Sequence, residues 1–197
     1  MAAMAAVDLK PPVLLMAMPH VLDPFFHKSV VLLVAHEDEG SLGFILNRPT
    51  GIRVTEILQG MEIEWHGDPS ELAFFGGPVQ PQLGTVLFAP PEGFDAETPV
   101  ASEVHPGVRI TQHVGHLAQL ATLPPKRFRL FLGYAGWGAG QLVEEILRND
   151  WLAAAVGTDL LFPLHPEELW EKALKSAGFD PAALPTWTPL GNEEETN

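Results

Sequence analysis

An α+β fold is what this 197-residue sequence predicts, on three observations. Apolar runs of strand character outnumber stretches of helical periodicity. Several of those runs follow one another without an intervening helix, and the earliest connection between two of them is of hairpin length. A doubly wound α/β arrangement would need strands and helices to alternate, which they do not. No internal repeat is present.

Residues 13–18 (VLLMAM) are an unbroken apolar run stopped by Pro19, and residues 29–35 (SVVLLVA) a second one rich in β-branched side chains. Both read as buried strands. The acidic tip at 36–40 (HEDEG) leads to a third run at 42–46, a connection ending in glycine that suits a hairpin. Asn47, Arg48, Pro49 and Thr50 break that strand. Val54, Ile57 and Leu58 then fall at helical spacing before Gly60, predicting a short helix with a glycine just past its end. Strands are expected at 71–75, stopped by Gly76, Gly77 and Pro78, and at 84–89, 99–104 and 127–132. Residues 112–122 predict a helix with Val114, Leu117, Ala118 and Ala121 on one face. After four glycines between 133 and 140, Leu142, Val143, Ile146 and Leu147 form an apolar stripe with Glu144, Glu145 and Arg148 opposite. A last helix over 167–177 buries Leu169, Trp170, Ala173, Leu174 and Ala177 and ends at Gly178.

One domain over 12–190 is expected, with disordered tails at 1–11 and at the acidic 191–197, because a chain this long buries a sizeable core on its own. The apolar fraction of 46% with 18% charged residues is ordinary globular composition, and no run approaches the length of a membrane span. The N-terminus resembles neither a secretory nor a transit peptide, so a soluble, cytoplasmic protein is expected. The absence of cysteine removes disulfides, thiolate nucleophiles and sulfur-built zinc sites. A formal charge of −14 argues against direct nucleic-acid binding and against anionic membrane surfaces, since both are bound through clustered Lys and Arg.

The most distinctive stretch is FLGYAGWGAGQLVEE at 131–145, in which Gly133, Gly136, Gly138 and Gly140 surround Tyr134 and Trp137. It reads as a shaped glycine loop before a helix, a place where phosphate can bind. The details do not fit one: no lysine follows in the P-loop position, and Gln141 stands where a third dinucleotide-binding glycine would be. A structural turn wedged by its aromatics is the simpler reading. His113 and His116 at i and i+3, with His105 nearby, form one loose histidine group, and His20, Asp23 and His27 another; both lack a full ligand set. Ser41 in GSLG lacks the nucleophile-elbow spacing. Arg48 sits at a proline-fixed turn where a fork-shaped cation can clamp an anion, or can simply make a structural ion pair. GGPV at 76–79 reads as a tight turn, although a glycine pair also admits close approach by a ligand or partner.

Taken together, AMP at 17–19, DPFF at 23–26, GFILNRP at 43–49, FFGGPVQP at 74–81, GYAGWGAGQLVEE at 133–145 and NDWL at 149–152 resemble the YqgE/AlgH family of bacterial proteins. The resemblance covers most of the chain, from Val13 to the helix that holds Trp170. It implies an α+β fold in which a bent, bifurcated mixed sheet closes into a pseudo-barrel with flanking helices. The family carries a transcriptional-regulator label and offers no catalytic residues to carry over.

The leading expectation is a non-enzymatic accessory or regulatory protein that binds a protein or small ligand. The alternatives are an enzyme whose site joins the Asn47/Arg48 turn to the glycine loops at Gly76 and Gly136 and, more weakly, a transcriptional regulator. Candidate contacts are Asn47, Arg48, Pro49, Gly76, Gly77, Pro78, Gly136, Trp137 and Gly138. Trp137 is expected to be scaffold and Arg48 to meet the ligand. No catalytic set, metal site or cofactor is expected.

Overall fold

The computed structural model describes residues 9–97 and 100–186. Residues 1–8 of the tail expected at 1–11, and the whole tail expected at 191–197, therefore lie outside the described residues. Leu9, assigned to the N-terminal tail, is instead buried against the core.

Along the chain run β1 (Val13–Ala17), β2 (Val30–Glu37), β3 (Gly40–Ile45), β4 (Pro49–Arg53), α1 (Val54–Gly60), β5 (Leu72–Phe75), β6 (Val79–Phe88), β7 (Ser102–His105) and β8 (Val108–Thr111). They are followed by α2 (Val114–Thr122), β9 (Phe128–Gly138), α3 (Gln141–Leu147), β10 (Trp151–Ala155), α4 (Thr158–Leu161) and α5 (Leu169–Ser176). All ten strands join one sheet in the order β10-β1-β2-β3-β9-β6-β8-β7, with β5 set against β9 and β4 against β5. Every pairing is antiparallel except β5 with β9, so the sheet is mixed.

The fork lies in β9. Its first part pairs with β6 and, at Phe131 and Leu132, with β5 on the other side, whereas Ala135 to Gly138 pair with β3. Gly133 stands between the two parts with φ of 71°, a left-handed conformation that glycine adopts without penalty. The turn there changes which face the odd-numbered residues present. Phe131 packs in the cluster filled by α4 and α5, while Ala135 and Trp137 pack in the cluster covered by α3. The sheet thus curls into a half-barrel of two wings, with α1 and α2 covering the β6–β9 wing through Val54, Leu58, Leu117 and Leu120. No helix among the described residues is long and apolar enough to cross a membrane.

Five points of the sequence reading are corrected. The glycine-rich stretch at 133–138 is strand, not loop: Phe131, Gly133, Ala135 and Trp137 are buried while Gly136 and Gly138 are exposed, a period of two that the glycines disguise. Pro49 and Thr50 do not simply end a strand but open β4, whose edge position tolerates a proline. β8 was not expected, and neither was β10, whose alanines have low strand propensity. Glu145 does not face away from the core with Glu144 and Arg148; it turns toward two indoles.

Candidate functional site

Of the nine residues singled out from sequence, the Asn47–Pro49 turn and the Gly76–Gly77 pair meet along one seam, engaged with the chain's own backbone, while Trp137 turns away from it. Asn47 is 5% exposed; its Oδ1 accepts from Val30 N at 3.0 Å and its Nδ2 donates to Lys28 O at 2.9 Å, tying the end of β3 to the start of β2. The Arg48 guanidinium is half-buried, which lowers its pKa, and it donates to the carbonyls of His27 and Asn47. Phe75 N donates to Arg48 O at 2.7 Å, and Ile45 N to Gly76 O at 2.8 Å, so the Arg48–Pro49 turn lies against the end of β5.

Gly76 and Gly77 then cross the backbone of β9 at contact distance. A Cβ added to Gly76 would lie 2.3 Å from Gly133 O, and one on Gly77 would lie 2.0 Å from the Tyr134 carbonyl carbon. What the glycine pair admits is the chain's own backbone. Pro78, Gly136 and Gly138 are exposed on the outside of this seam.

Trp137 is buried on the opposite face, at 6% exposure, in a T-shaped pair with Trp151 (5.8 Å between centroids), and Phe26 packs on both indoles. One carboxylate oxygen, Glu145 Oε2, accepts from both Trp137 Nε1 (2.9 Å) and Trp151 Nε1 (2.8 Å), while Gln141 Nε2 donates to Oε1 at 2.9 Å. The DPFF, GYAGWGAGQLVEE and NDWL motifs therefore build one structural cluster.

The histidines bond to different partners, although the His113 and His116 rings stay 5.6 Å apart between centroids and His105 Nδ1 lies 3.5 Å from Thr158 Oγ1. His20 Nε2 is bonded to Asp150, His27 Nδ1 meets Val21 O, and Asp23 accepts from Phe25 N. His116 is fully buried, its Nδ1 sharing a 2.8 Å hydrogen bond with Thr111 Oγ1. His113 caps α2, with Nδ1 accepting from Gly115 N at 3.1 Å. Among the described residues no three His, Asp or Glu side chains are placed to share a metal ion. Ser41 shares a 2.7 Å hydrogen bond with His36 Nδ1 across the β2–β3 hairpin, and among the described residues no carboxylate bonds the imidazole to complete a triad.

Space for a ligand opens elsewhere, inside the curl of the sheet. A hollow of about 310 Å³ is floored by Val34, Leu42 and Phe44 from one wing and by Thr85, Ser102, Ile110 and Thr111 from the other, with Val100, Gln112 and His113 at its margin. Its polar groups are organised by the β8–α2 junction. Gln112 Nε2 donates to Thr85 Oγ1 at 3.1 Å, and His113 N donates to Thr111 Oγ1 at 3.2 Å. Because His113 Nδ1 accepts a backbone N–H, the neutral ring carries its proton on Nε2, leaving a donor available. Across Thr111–His113 lies a second hollow of about 240 Å³, lined among others by Ile57, Met61, Leu83 and Leu117. Among the described residues no Asp, Glu, Lys or Arg lines either space.

None of the nine sequence candidates lines these hollows. Val34, Leu42, Phe44 and Ile110 read as ordinary strand residues, and only the polar Thr111–Gln112–His113 step between two apolar segments carried a signal in the sequence.

A family model described as AlgH-like matches residues 14–182. The chain belongs to the AlgH-like family. Its relatives include a UPF0301 protein of Thioalkalivibrio sulfidiphilus, 38% identical over 168 residues that cover 84% of this chain and 88% of that protein. A UPF0301 protein of Burkholderia multivorans is 40% identical over 173 residues, 86% of this chain and 89% of the relative. The solution structure of the AlgH protein of Pseudomonas aeruginosa superposes with a TM-score of 0.69 at 31% identity, covering 85% of this chain and 88% of that one. A crystal structure of a Corynebacterium diphtheriae protein reaches 0.73 at 21% identity over 95% of both chains, a likeness of fold alone. The resemblance read from the motifs holds, and so does the bent AlgH-like sheet it implies.

Proposed function

We propose that this AlgH-like protein is a cytoplasmic, non-enzymatic accessory or regulatory protein whose binding element is the hollow inside the half-barrel. The observation that carries the reading is the hollow's chemistry: an apolar floor from both wings with uncharged hydrogen-bonding groups gathered on one side. Such a lining suits a compact, largely apolar, uncharged ligand with one or two polar atoms, held between the wings by Phe44 and Ile110 and oriented by Gln112 and His113. A charged ligand would leave its charge uncompensated there. A non-enzymatic role is supported by the same lining, in which no carboxylate, lysine or arginine among the described residues stands beside the hydroxyls of Thr85, Ser102 and Thr111. Regulation, in this reading, passes through the ligand: an occupant touching both wings favours one degree of curl over another.

The test is a titration of the isotope-labelled chain with a panel of small apolar fragments, each bearing one hydroxyl, amide or carbonyl group, followed by backbone amide shifts. Saturable shifts are expected at residues 34, 42–44, 85, 102 and 110–113, and they should vanish in Ile110→Trp, which fills the space. Saturable binding confined to the Arg48–Gly76 seam would move the site back to the residues first chosen from sequence.

A further inference from the structure

Among the described residues three strands lie at the margins of the sheet: β4, which pairs only with β5, and β7 and β10 at the two ends of the main order. A marginal strand presents unpaired backbone N–H and C=O groups, and proteins blunt such edges with proline, charge, shortness or bulges. β4 opens with Pro49, ends with Arg53 and slips register between them. β7 has four residues, carries Glu103 and His105, and slips register between those two. β10 has none of these protections. It pairs with β1 in unbroken register over five residues, and no charged residue or proline occurs from Trp151 to Thr158.

The direction of the unpaired groups follows from the ladder. Met18 N donates to Asp150 O at 2.9 Å, so by antiparallel alternation Leu152 and Ala154 face β1, and Trp151, Ala153 and Ala155 turn their N–H and C=O groups outward. Ala153 and Ala155 are exposed, and an open groove of about 440 Å³ runs beside them, walled by Leu160, Ala177 and Phe179.

We propose that β10 pairs with β10 of a second copy of this chain about a two-fold axis at Ala153, so that two half-barrels share one continuous sheet. Antiparallel pairing sets Ala153 against its counterpart and Trp151 against the second copy's Ala155, and each such pair exchanges two backbone hydrogen bonds. The occupant is a second copy on grounds of charge and shape. At −14 per chain, two copies repel wherever acidic faces meet, and this uncharged strip is where two of them approach at least cost. The outward N–H and C=O groups of Trp151, Ala153 and Ala155 are symmetric about Ala153, so the same edge of a second copy meets them donor to acceptor at the strand spacing of about 4.8 Å. Because like charge opposes the contact, salt strengthens it, whereas an interface held by ion pairs would weaken.

Sedimentation velocity on the full chain, from about 10 µM to about 1 mM at low and high salt, tests this; a dimer that tightens with salt is expected. Ala153→Pro removes an outward N–H that β1 does not use, and Ala155→Glu places a charge at an exposed position. Each is expected to weaken dimerisation at least about ten-fold with the near-ultraviolet dichroism of the tryptophans unchanged. If Ala153→Pro loses that dichroism, Ala155→Glu decides alone. A wild-type chain that stays monomeric at about 1 mM in high salt overturns the proposal and leaves the edge to an extended segment of another protein. A dimer that survives Ala155→Glu, or that weakens with salt, overturns it as well.

Discussion

Trp137 and Gly77 are the two residues on which the seam between the wings depends, for opposite reasons of size. The Trp137 indole fills the space between Phe26, Trp151 and α3, and its N–H has a carboxylate acceptor, so Trp137→Ala empties a large volume and strands a half-buried Glu145 oxygen with one donor fewer. A cost of about 3 to 5 kcal/mol in denaturant unfolding is expected. Arg48→Ala removes donors from two carbonyls at a half-buried position and should cost less, about 1 to 2 kcal/mol; the reverse order would make Arg48 the structural residue and Trp137 the available one. Gly77 has the opposite constraint. With φ of 157° and a position for Cβ only 2.0 to 2.2 Å from the backbone of Tyr134 and Ala135, it has no room for a methyl group. Gly77→Ala should cost more than about 4 kcal/mol or leave the chain unfolded, while Gly51→Ala, which meets nothing within 4 Å, serves as the harmless control. A Gly77→Ala chain with wild-type stability would mean that the crossing of β9 is looser than this geometry requires.

At the scale of elements, β5 and β9 are held together by an ion pair that titrates. Arg129 on β9 meets Glu71, just before β5, at 3.1 Å; it also stacks on Phe74 and donates to Pro163 O. Burial raises the Glu71 carboxyl above its ordinary pKa, an effect that the positive Arg129 only partly offsets and that nearby Asp68 reinforces. A carboxyl whose folded pKa lies above its unfolded one holds its proton more tightly in the fold. Its contribution is therefore fully present below the unfolded value and is lost as pH rises through the folded one. Urea unfolding of wild type and Glu71→Gln across the acid range should show the wild type's relative stability falling as pH rises through that window and then levelling. A relative stability that rises with pH would mean that the attraction of Arg129 outweighs burial. These elements also mark what the sequence made legible. α2 and α5 were readable because Leu117, Ala121, Leu169, Trp170, Ala173 and Leu174 repeat at helical spacing, and β1 to β3 because buried strands are continuous apolar runs. The second half of β9 was not, because a strand whose outward residues are glycine has no polar alternation to read. β10 was not, because pairing with β1 overrides the poor strand propensity of alanine.

At the scale of the molecule, the curl that makes the hollow depends on contacts far apart in sequence, and this is why the candidate site escaped sequence reading while the family did not. Phe44 and Ile110 come within one lining only because β9 serves both wings and bends at Gly133, and neither residue alone differs from any core residue. Net charge, by contrast, is a property of the whole chain that sequence states directly. With 11 basic against 25 acidic residues, four of the arginines are also engaged within the fold: Arg48 with backbone carbonyls, Arg109 with Ala101 O and Glu97, Arg129 with Glu71, and Arg148 with Asp150. Duplex DNA is bound chiefly by releasing counterions from phosphates onto free Lys and Arg, and specific contacts add to that term without replacing it. The isolated protein is therefore expected to give no shift of duplex DNA at micromolar concentration and physiological salt. A submicromolar complex whose affinity falls steeply with added salt would show a basic surface that the charge balance conceals, and would put the weaker alternative, a regulator acting directly on DNA, ahead of one acting through a bound ligand.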